Sequence, residues 1–166
     1  MNLPGINLTG KCKKTEGRDL GMNNLTKMKI GRPAFEVFEA FVDPAKIGNF
    51  WFSSSSERWE QGKTVTLRYE EYGAEGDIKI IEIEENKKIV FLWGEEEEPH
   101  TVTITLKELD GASTIIEVNE EGFNEKDENL LIYMLDNKEG WVYMLTCLKG
   151  YLEFGVTELR AALVKD

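Results

Sequence analysis

The chain has 166 residues, of which 41% are hydrophobic and 31% charged. This length and composition are typical of one globular domain, and they exclude wholesale disorder and fibrous repeats. Lysine and arginine number 20 against 31 aspartates and glutamates, a formal net charge of −11. Nucleic acids and anionic membranes are bound chiefly by clustered cationic side chains, so neither is expected as a main partner.

The cysteines and the apolar runs bear on the cellular compartment. Cys12 lies in a polar, basic stretch, whereas Cys147 lies within an apolar helical pattern, so no disulfide framework is expected. No run reaches the roughly 18 apolar residues that span a bilayer, and the N-terminus lacks the apolar core of a secretory signal. These features predict a cytoplasmic protein.

The first residues differ in character from the rest of the chain. Residues 1–23 are polar, show no helical or strand period and carry four cationic against two acidic side chains. We therefore predict a flexible N-terminal extension over 1–23 and a single, more acidic domain over 24–166. Met22 stands just before the first patterned segment and is a candidate alternative start to Met1.

One strand and two short helices are predicted first. Apolar and polar residues alternate over 25–30, which indicates a strand. Pro33 suits the first turn of a helix, and Asp43-Pro44 ends that helix and begins another short one. Serines at 53–56 then indicate a loop. The apolar face of the first helix is expected to hold Phe35, Phe38, Phe41 and Val42.

The middle of the chain has the period of a β-sheet. From about residue 63 to 123, five strand candidates follow one another with turn signals between them, which predicts an antiparallel meander. In the second of these strands the inward-facing set shifts from Ile78 and Ile80 to Ile81 and Ile83. Such a shift requires a β-bulge.

Helical spacing returns in the last third of the chain. Residues 130–135 indicate a short helix, and Asp136 followed by Glu139 resembles a capping box that opens a longer one. Its apolar face is expected to hold Trp141, Leu145, Leu148 and Leu152. The predicted fold is therefore α+β, a curved antiparallel sheet of about six strands around a long C-terminal helix, with two short helices after the first strand.

Several local phrases follow one another in the order typical of one known superfamily. They are residues 33–38 (Pro-Ala-Phe-Glu-Val-Phe), Phe50-Trp51, residues 89–93 (Ile-Val-Phe-Leu-Trp), residues 120–123 (Glu-Glu-Gly-Phe) and Gly140-Trp141. In this order they resemble the START-like (SRPBCC) superfamily, and within it bacterial proteins similar to the C-terminal domain of the activator of heat-shock protein 90 ATPase. The resemblance covers residues 24 to about 155.

This resemblance implies a helix-grip fold, in which the long helix and the concave face of the sheet enclose an apolar cavity. In the superfamily such cavities hold lipids, sterols, plant hormones or polyketides. Aromatic walls suit such ligands, although for any one of these residues core packing is favoured over cavity lining, because protein interiors are tightly packed. The candidate cavity residues are Trp51, Phe52, Tyr69, Phe91, Trp93, Trp141, Met144, Leu145 and Leu148.

Other reactive side chains each have a functional and a structural interpretation. Glu71, near Tyr69 and Tyr143, would serve as a general acid or base if it were buried with a raised pKa, and otherwise it ends a strand in solvent. His100, the single histidine, is expected in a surface loop, and Cys147 as a buried, inert thiol. The run Glu95–Glu98 lacks the spaced oxygens of a calcium loop and is interpreted as a solvated turn.

The leading expectation for function is a small cytoplasmic protein that binds a hydrophobic or amphipathic molecule, lipid-like or polyketide-like, in an internal cavity. One alternative is a chaperone cofactor resembling the heat-shock protein 90 activators. Another is a cyclase- or hydrolase-like enzyme acting in the same cavity. No catalytic residue, metal site or cofactor is predicted, and both a monomer and a homodimer remain open.

Overall fold

The computed structural model describes residues 22–164, so the predicted extension lies outside the described residues except for Met22 and Asn23, as does Cys12. Two short 3₁₀ turns, Ile47–Asn49 and Glu70–Tyr72, join the main elements. The main elements in chain order are β1 (Asn23–Ile30), α1 (Ala34–Val42), β2 (Ser54–Ser55), β3 (Thr64–Tyr69), β4 (Ala74–Glu84), β5 (Lys88–Trp93), β6 (His100–Glu108), β7 (Thr114–Glu121) and α2 (Leu130–Phe154).

The strands form one antiparallel sheet in the order β1-β7-β6-β5-β4-β3-β2. The predicted α+β fold, with short helices after the first strand and a long C-terminal helix, is confirmed. The sheet has seven strands where about six were predicted. The additional strand is Ser54–Ser55, which pairs with Leu67 and Arg68. Two serines do not form an alternation of apolar and polar residues, so hydrophobic periodicity could not predict this strand.

Helix α1 packs its apolar stripe against the core, with Val37, Phe38, Phe41 and Val42 buried. The prediction was wrong for Phe35, which is 54% exposed. Residues 34, 37, 38 and 41 already form a complete i, i+3, i+4, i+7 stripe, and Phe35 lies to one side of it. The second predicted helix is confirmed as the single 3₁₀ turn Ile47–Asn49.

The bulge predicted in β4 is confirmed, because the pairing with β5 shifts register between Ile80 and Glu82. The inward-facing set differs from the prediction at one position. Ile78 and Ile80 are buried and Ile83 packs against the core, whereas Ile81 is 41% exposed. The extra residue of the bulge therefore faces outward.

Helix α2 is one continuous helix of 25 residues, so the predicted break at Asp136 and its capping box are wrong. The helix begins after Asn129 and ends at Gly155, whose left-handed backbone accommodates the C-terminal turn. Its buried face includes Trp141 and Leu145, which belong to the same hydrophobic core as the buried residues of the sheet. Among residues 22–164, neither helix has the length and apolar content that crossing a bilayer requires.

Candidate functional site

A cavity of about 260 Å³ lies beside α2, and we call it the aromatic cavity. Its wall is formed by parts of strand β3, strand β5, the turn before β2 and helix α2. Asp136, Asn137 and Gly140 contribute from the helix, and Leu163 contributes from the C-terminal residues. Its seven aromatic lining residues are Phe50, Trp51, Tyr69, Tyr72, Trp93, Trp141 and Tyr143.

The nine candidate cavity residues divide into three groups. Trp51, Tyr69, Trp93, Trp141 and Met144 line the aromatic cavity. Phe52 lies one layer behind, with its ring centroid 4.7 Å from that of Trp51 and 5.4 Å from that of Tyr69. The remaining three, Phe91, Leu145 and Leu148, are fully buried members of the core.

Sequence reasoning did not name several lining residues. Phe50 belongs to the aromatic pair noted in the resemblance, so its spacing was available as a signal. Gly140 likewise belongs to the pair Gly140-Trp141 noted in the resemblance. Tyr72 and Leu163 are different, because they lie in a turn and in an irregular C-terminal segment. No periodic pattern places such residues beside a cavity.

Three indole rings form a continuous part of the wall. The rings of Trp93 and Trp141 are stacked with centroids 5.1 Å apart and planes inclined by 26°. Trp51 contacts both, at 6.2 Å from Trp93 and 5.5 Å from Trp141. Such packed rings present large, rigid apolar surfaces, which suit recognition of another flat ring.

Glu120 holds two of these indoles in place. Its side chain is only 1% exposed. The carboxylate accepts a hydrogen bond from Trp93 Nε1 at 3.0 Å and another from Trp141 Nε1 at 2.7 Å. The signal was present in the sequence, because period two in β7 puts Glu120 on the same face as the buried Ile116 and Val118.

His100 was predicted in a surface loop, and the structure places it elsewhere. It is the first residue of β6, opposite Trp93 on β5. Its Nδ1 lies 2.7 Å from Oε1 of Glu120, and its side chain is 28% exposed. The prediction failed because Pro99 marks the end of the turn rather than its middle.

Residues 155–164, which we call the C-terminal strap, cover one side of the aromatic cavity. The Tyr72 hydroxyl donates a hydrogen bond to the backbone oxygen of Leu163 at 2.8 Å. The Tyr143 hydroxyl donates another to the backbone oxygen of Leu159. The cavity wall and the strap are therefore joined at two points, and Leu163 itself lines the cavity.

Arg160 fastens the strap near its middle. Its Nε donates to the backbone oxygen of Trp51 at 2.7 Å. Its two terminal nitrogens donate to the Glu71 carboxylate at 2.5 and 2.8 Å, and Nη2 also donates to the Ser53 hydroxyl at 3.0 Å. The guanidinium carbon lies 5.1 Å from the centre of the Tyr69 ring, within the range of a cation–π contact.

Glu71 is therefore an ion-pair partner and does not have the raised pKa that a general acid requires. Hydrogen bonds from Arg160, from its own backbone N–H and from the Ser53 hydroxyl lower the pKa of Glu71 to about 2. The carboxylate is ionised at neutral pH. Cys147 matches its prediction, since the thiol is buried and burial raises its pKa.

This ion pair predicts acid-induced opening of the strap. Because the folded pKa of Glu71, about 2, lies below its ordinary 4.5, the contribution of the pair is complete above about pH 4.5 and is lost as the pH falls towards 2. Amide NMR signals of residues 155–164 should therefore report opening over this window. Glu71→Gln should show a looser strap with no such pH dependence, and an identical acid transition in the variant would contradict the assignment.

A second concavity adjoins the aromatic cavity and shares Trp93 and Asn137 with it. It is an open cleft of about 950 Å³, lined by Glu95–Glu98, His100 and Glu120 among others, and we call it the acidic cleft. No group of three or more histidine, cysteine or acidic side chains within residues 22–164 is arranged to hold a metal ion.

Comparison with protein families gives one match. The model of the family described as "Activator of Hsp90 ATPase homolog 1-like protein" matches residues 32–153. This range runs from the end of β1 almost to the end of α2, and it stops before the C-terminal strap. A search of curated proteins found no match.

Solved structures extend this finding. The crystal structure of SSP2350 from Staphylococcus saprophyticus is 54% identical, covers 82% of this chain and 95% of its own, and has a TM-score of 0.72. The Aha1 dimer from Colwellia psychrerythraea is 18% identical, with coverages of 81% and 98% and a TM-score of 0.71. PFC0360w, an HSP90 activator from Plasmodium falciparum, is 19% identical, with coverages of 81% and 97% and a TM-score of 0.63. The last two similarities show the fold alone.

Proposed function

The chain belongs to the family of Activator of Hsp90 ATPase homolog 1-like proteins, and we propose that it binds a small hydrophobic or amphipathic molecule in its aromatic cavity. The observation that carries this proposal is the wall itself, in which seven aromatic side chains surround a space of about 260 Å³. Apolar walls with a few polar groups are typical of small-molecule sites.

The size and shape of the cavity narrow the class of ligand. Its volume lies just below the range of roughly 300–1,000 Å³ that is usual for the pockets of drug-sized ligands. This small volume favours a ligand with a single ring or two fused rings over a whole lipid. The stacked indoles of Trp93 and Trp141 favour a planar molecule. The hydroxyls of Tyr72 and Tyr143 donate to the strap, but their oxygens can still accept a hydrogen bond from a ring hydroxyl, and Asn137 adds a polar side chain to the same wall.

Gly140 offers a direct test. It lines the aromatic cavity, and a Cβ atom added there meets nothing within 4 Å. Gly140→Leu should therefore place a side chain in the cavity without a clash at Cβ. We expect at least a tenfold loss of affinity for 2-naphthol, measured by isothermal titration calorimetry.

Gly140→Ala is the matched control, because it adds one methyl group at the same position. We expect it to retain 2-naphthol binding and to raise the free energy of unfolding by about 0.5–1 kcal/mol, since alanine favours a helix over glycine. Equal affinities in the leucine and alanine variants, or no binding of 2-naphthol to the unmodified protein, would refute the proposed site.

A second candidate function is that of a chaperone cofactor, which the family description favours. Leu131, Ile132 and Leu135 at the start of α2 are largely exposed and would be available to a protein partner. The ATPase rate of the cognate Hsp90, with and without this protein at saturation, separates the two functions. An enzymatic role would need a proton-transfer group other than Glu71, which stays ionised.

A further inference from the structure

The acidic cleft has a floor that differs from its rim. Four consecutive glutamates, Glu95–Glu98, form an exposed rim, whereas His100 and Glu120 form the floor. Trp93, Phe123 and Tyr133 also line the cleft and add aromatic surface. Because Glu120 is buried and His100 is half-buried, whereas the rim is solvated, the floor residues determine what specific contacts the cleft can make.

The hydrogen bond between His100 and Glu120 orients the imidazole. Both oxygens of the Glu120 carboxylate accept hydrogen bonds from indole N–H groups, so we assign Glu120 Oε1 as the acceptor and Nδ1–H of His100 as the donor in their 2.7 Å contact. In the neutral ring the other nitrogen, Nε2, is then an acceptor. No hydrogen bond to Nε2 is formed by any residue of the described range 22–164, and His100 lines the cleft.

Packing holds the ring in this orientation. Phe123 contacts the imidazole edge to face, with ring centroids 4.7 Å apart. Gly122 has φ of +110°, and a Cβ atom there would lie 3.1 Å from His100 Cα and 3.3 Å from His100 Cδ2. Glycine is thus required at this position both for its backbone conformation and for the close approach of His100.

The carboxylate of Glu120 is shared by three ring N–H groups. Its hydrogen-bond donors are the neutral indoles of Trp93 and Trp141 and the imidazole of His100. No lysine or arginine within residues 22–164 forms an ion pair with it. Glu120 therefore engages Nδ1 of His100, and Nε2 is the ring nitrogen left to contact a ligand in the cleft.

We propose that the acidic cleft is a second binding site, in which the ammonium group of a small aromatic amine donates a hydrogen bond to Nε2 of His100. The glutamate rim raises the local concentration of cations. Trp93, Phe123 and Tyr133 line the cleft and offer aromatic surface to the ring of the ligand. This site is distinct from the aromatic cavity and does not rest on the function proposed for it.

The single histidine makes the orientation directly measurable. Long-range ¹H–¹⁵N NMR near pH 8 should show Nδ1 of His100 protonated and Nε2 unprotonated, and 2-phenylethylamine should shift the Nε2 resonance. The matched neutral and anionic compounds 2-phenylethanol and 3-phenylpropionate should bind at least tenfold more weakly. A doubly protonated ring near pH 8 would overturn the proposal, because Nε2 could not then accept a hydrogen bond. Equal binding of the amine and the alcohol would also overturn it.

Two variants separate a specific contact from general attraction. His100→Phe keeps a ring but removes the acceptor, and it should lose at least tenfold in affinity for 2-phenylethylamine. Changing Glu95–Glu98 together to glutamine should weaken binding severalfold and reduce its salt dependence. Amine affinity that depends on the rim but not on His100 would overturn the proposal. Loss of amine binding in Gly140→Leu would also overturn it, by placing the amine in the aromatic cavity.

Discussion

Replacing Glu120 by alanine is expected to lower the free energy of unfolding by about 3 kcal/mol, within the range found when one partner of a buried polar network is removed. The substitution leaves the N–H groups of Trp93, Trp141 and His100 without their shared acceptor. It also leaves space beneath two indoles of the cavity wall. Urea denaturation followed by tryptophan fluorescence measures the change, and a fall in Tm of about 6–12 °C should accompany it.

Glu117→Ala is the control for this prediction. Glu117 lies on the same strand, β7, and pairs with Lys27 at 2.6 Å, but both side chains are at least one-third exposed. Exposed ion pairs contribute little, so a loss of less than about 1 kcal/mol is expected. Similar losses in the two variants would show that the position of Glu120 beneath the indoles has no special importance.

Replacing Arg160 by glutamine is expected to release the C-terminal strap without unfolding the sheet. The substitution removes the ion pair with Glu71 and changes the donor to the backbone oxygen of Trp51. Glu71 is partly exposed, which reduces the value of the pair, and about 2 kcal/mol of local stabilisation is expected to be lost. Amide exchange over residues 155–164 should therefore accelerate by about 30-fold.

Arg58→Gln serves as the control for the strap. Arg58 also forms a two-point contact with a glutamate, Glu39, at 3.0 and 2.6 Å, but it lies away from the strap. Its substitution should leave exchange over residues 155–164 unchanged. If the Arg160 variant exchanges no faster than this control, the contacts of Tyr72 and Tyr143 hold the strap alone. Faster 2-naphthol association in the Arg160 variant would further show that the strap limits entry to the aromatic cavity.

The sequence by itself determined the order of the elements, the antiparallel meander and the buried face of α2. Period two and period 3.6 record which face of a strand or helix is apolar, and the bulge in β4 was visible as a shift of that period. Periodicity fails where an apolar residue has no neighbour to cover it. Phe35 and Ile81, for example, fit apolar patterns but are exposed. A separate failure concerns α2, which continues through the helix break predicted at Asp136.

The contacts that shape the candidate sites were decided by tertiary structure alone. Trp93 and Trp141 could be named in advance because each lies on the inward face of its own element, and Trp51 because it belongs to the aromatic pair noted in the resemblance. Arg160 and Glu71 are 89 residues apart, and neither belongs to a periodic segment. Glu120 and His100 meet because antiparallel pairing brings the beginning of β6 beside the end of β7. Local sequence determines which face of each element is apolar, whereas strand register and chain crossing determine which polar side chains meet.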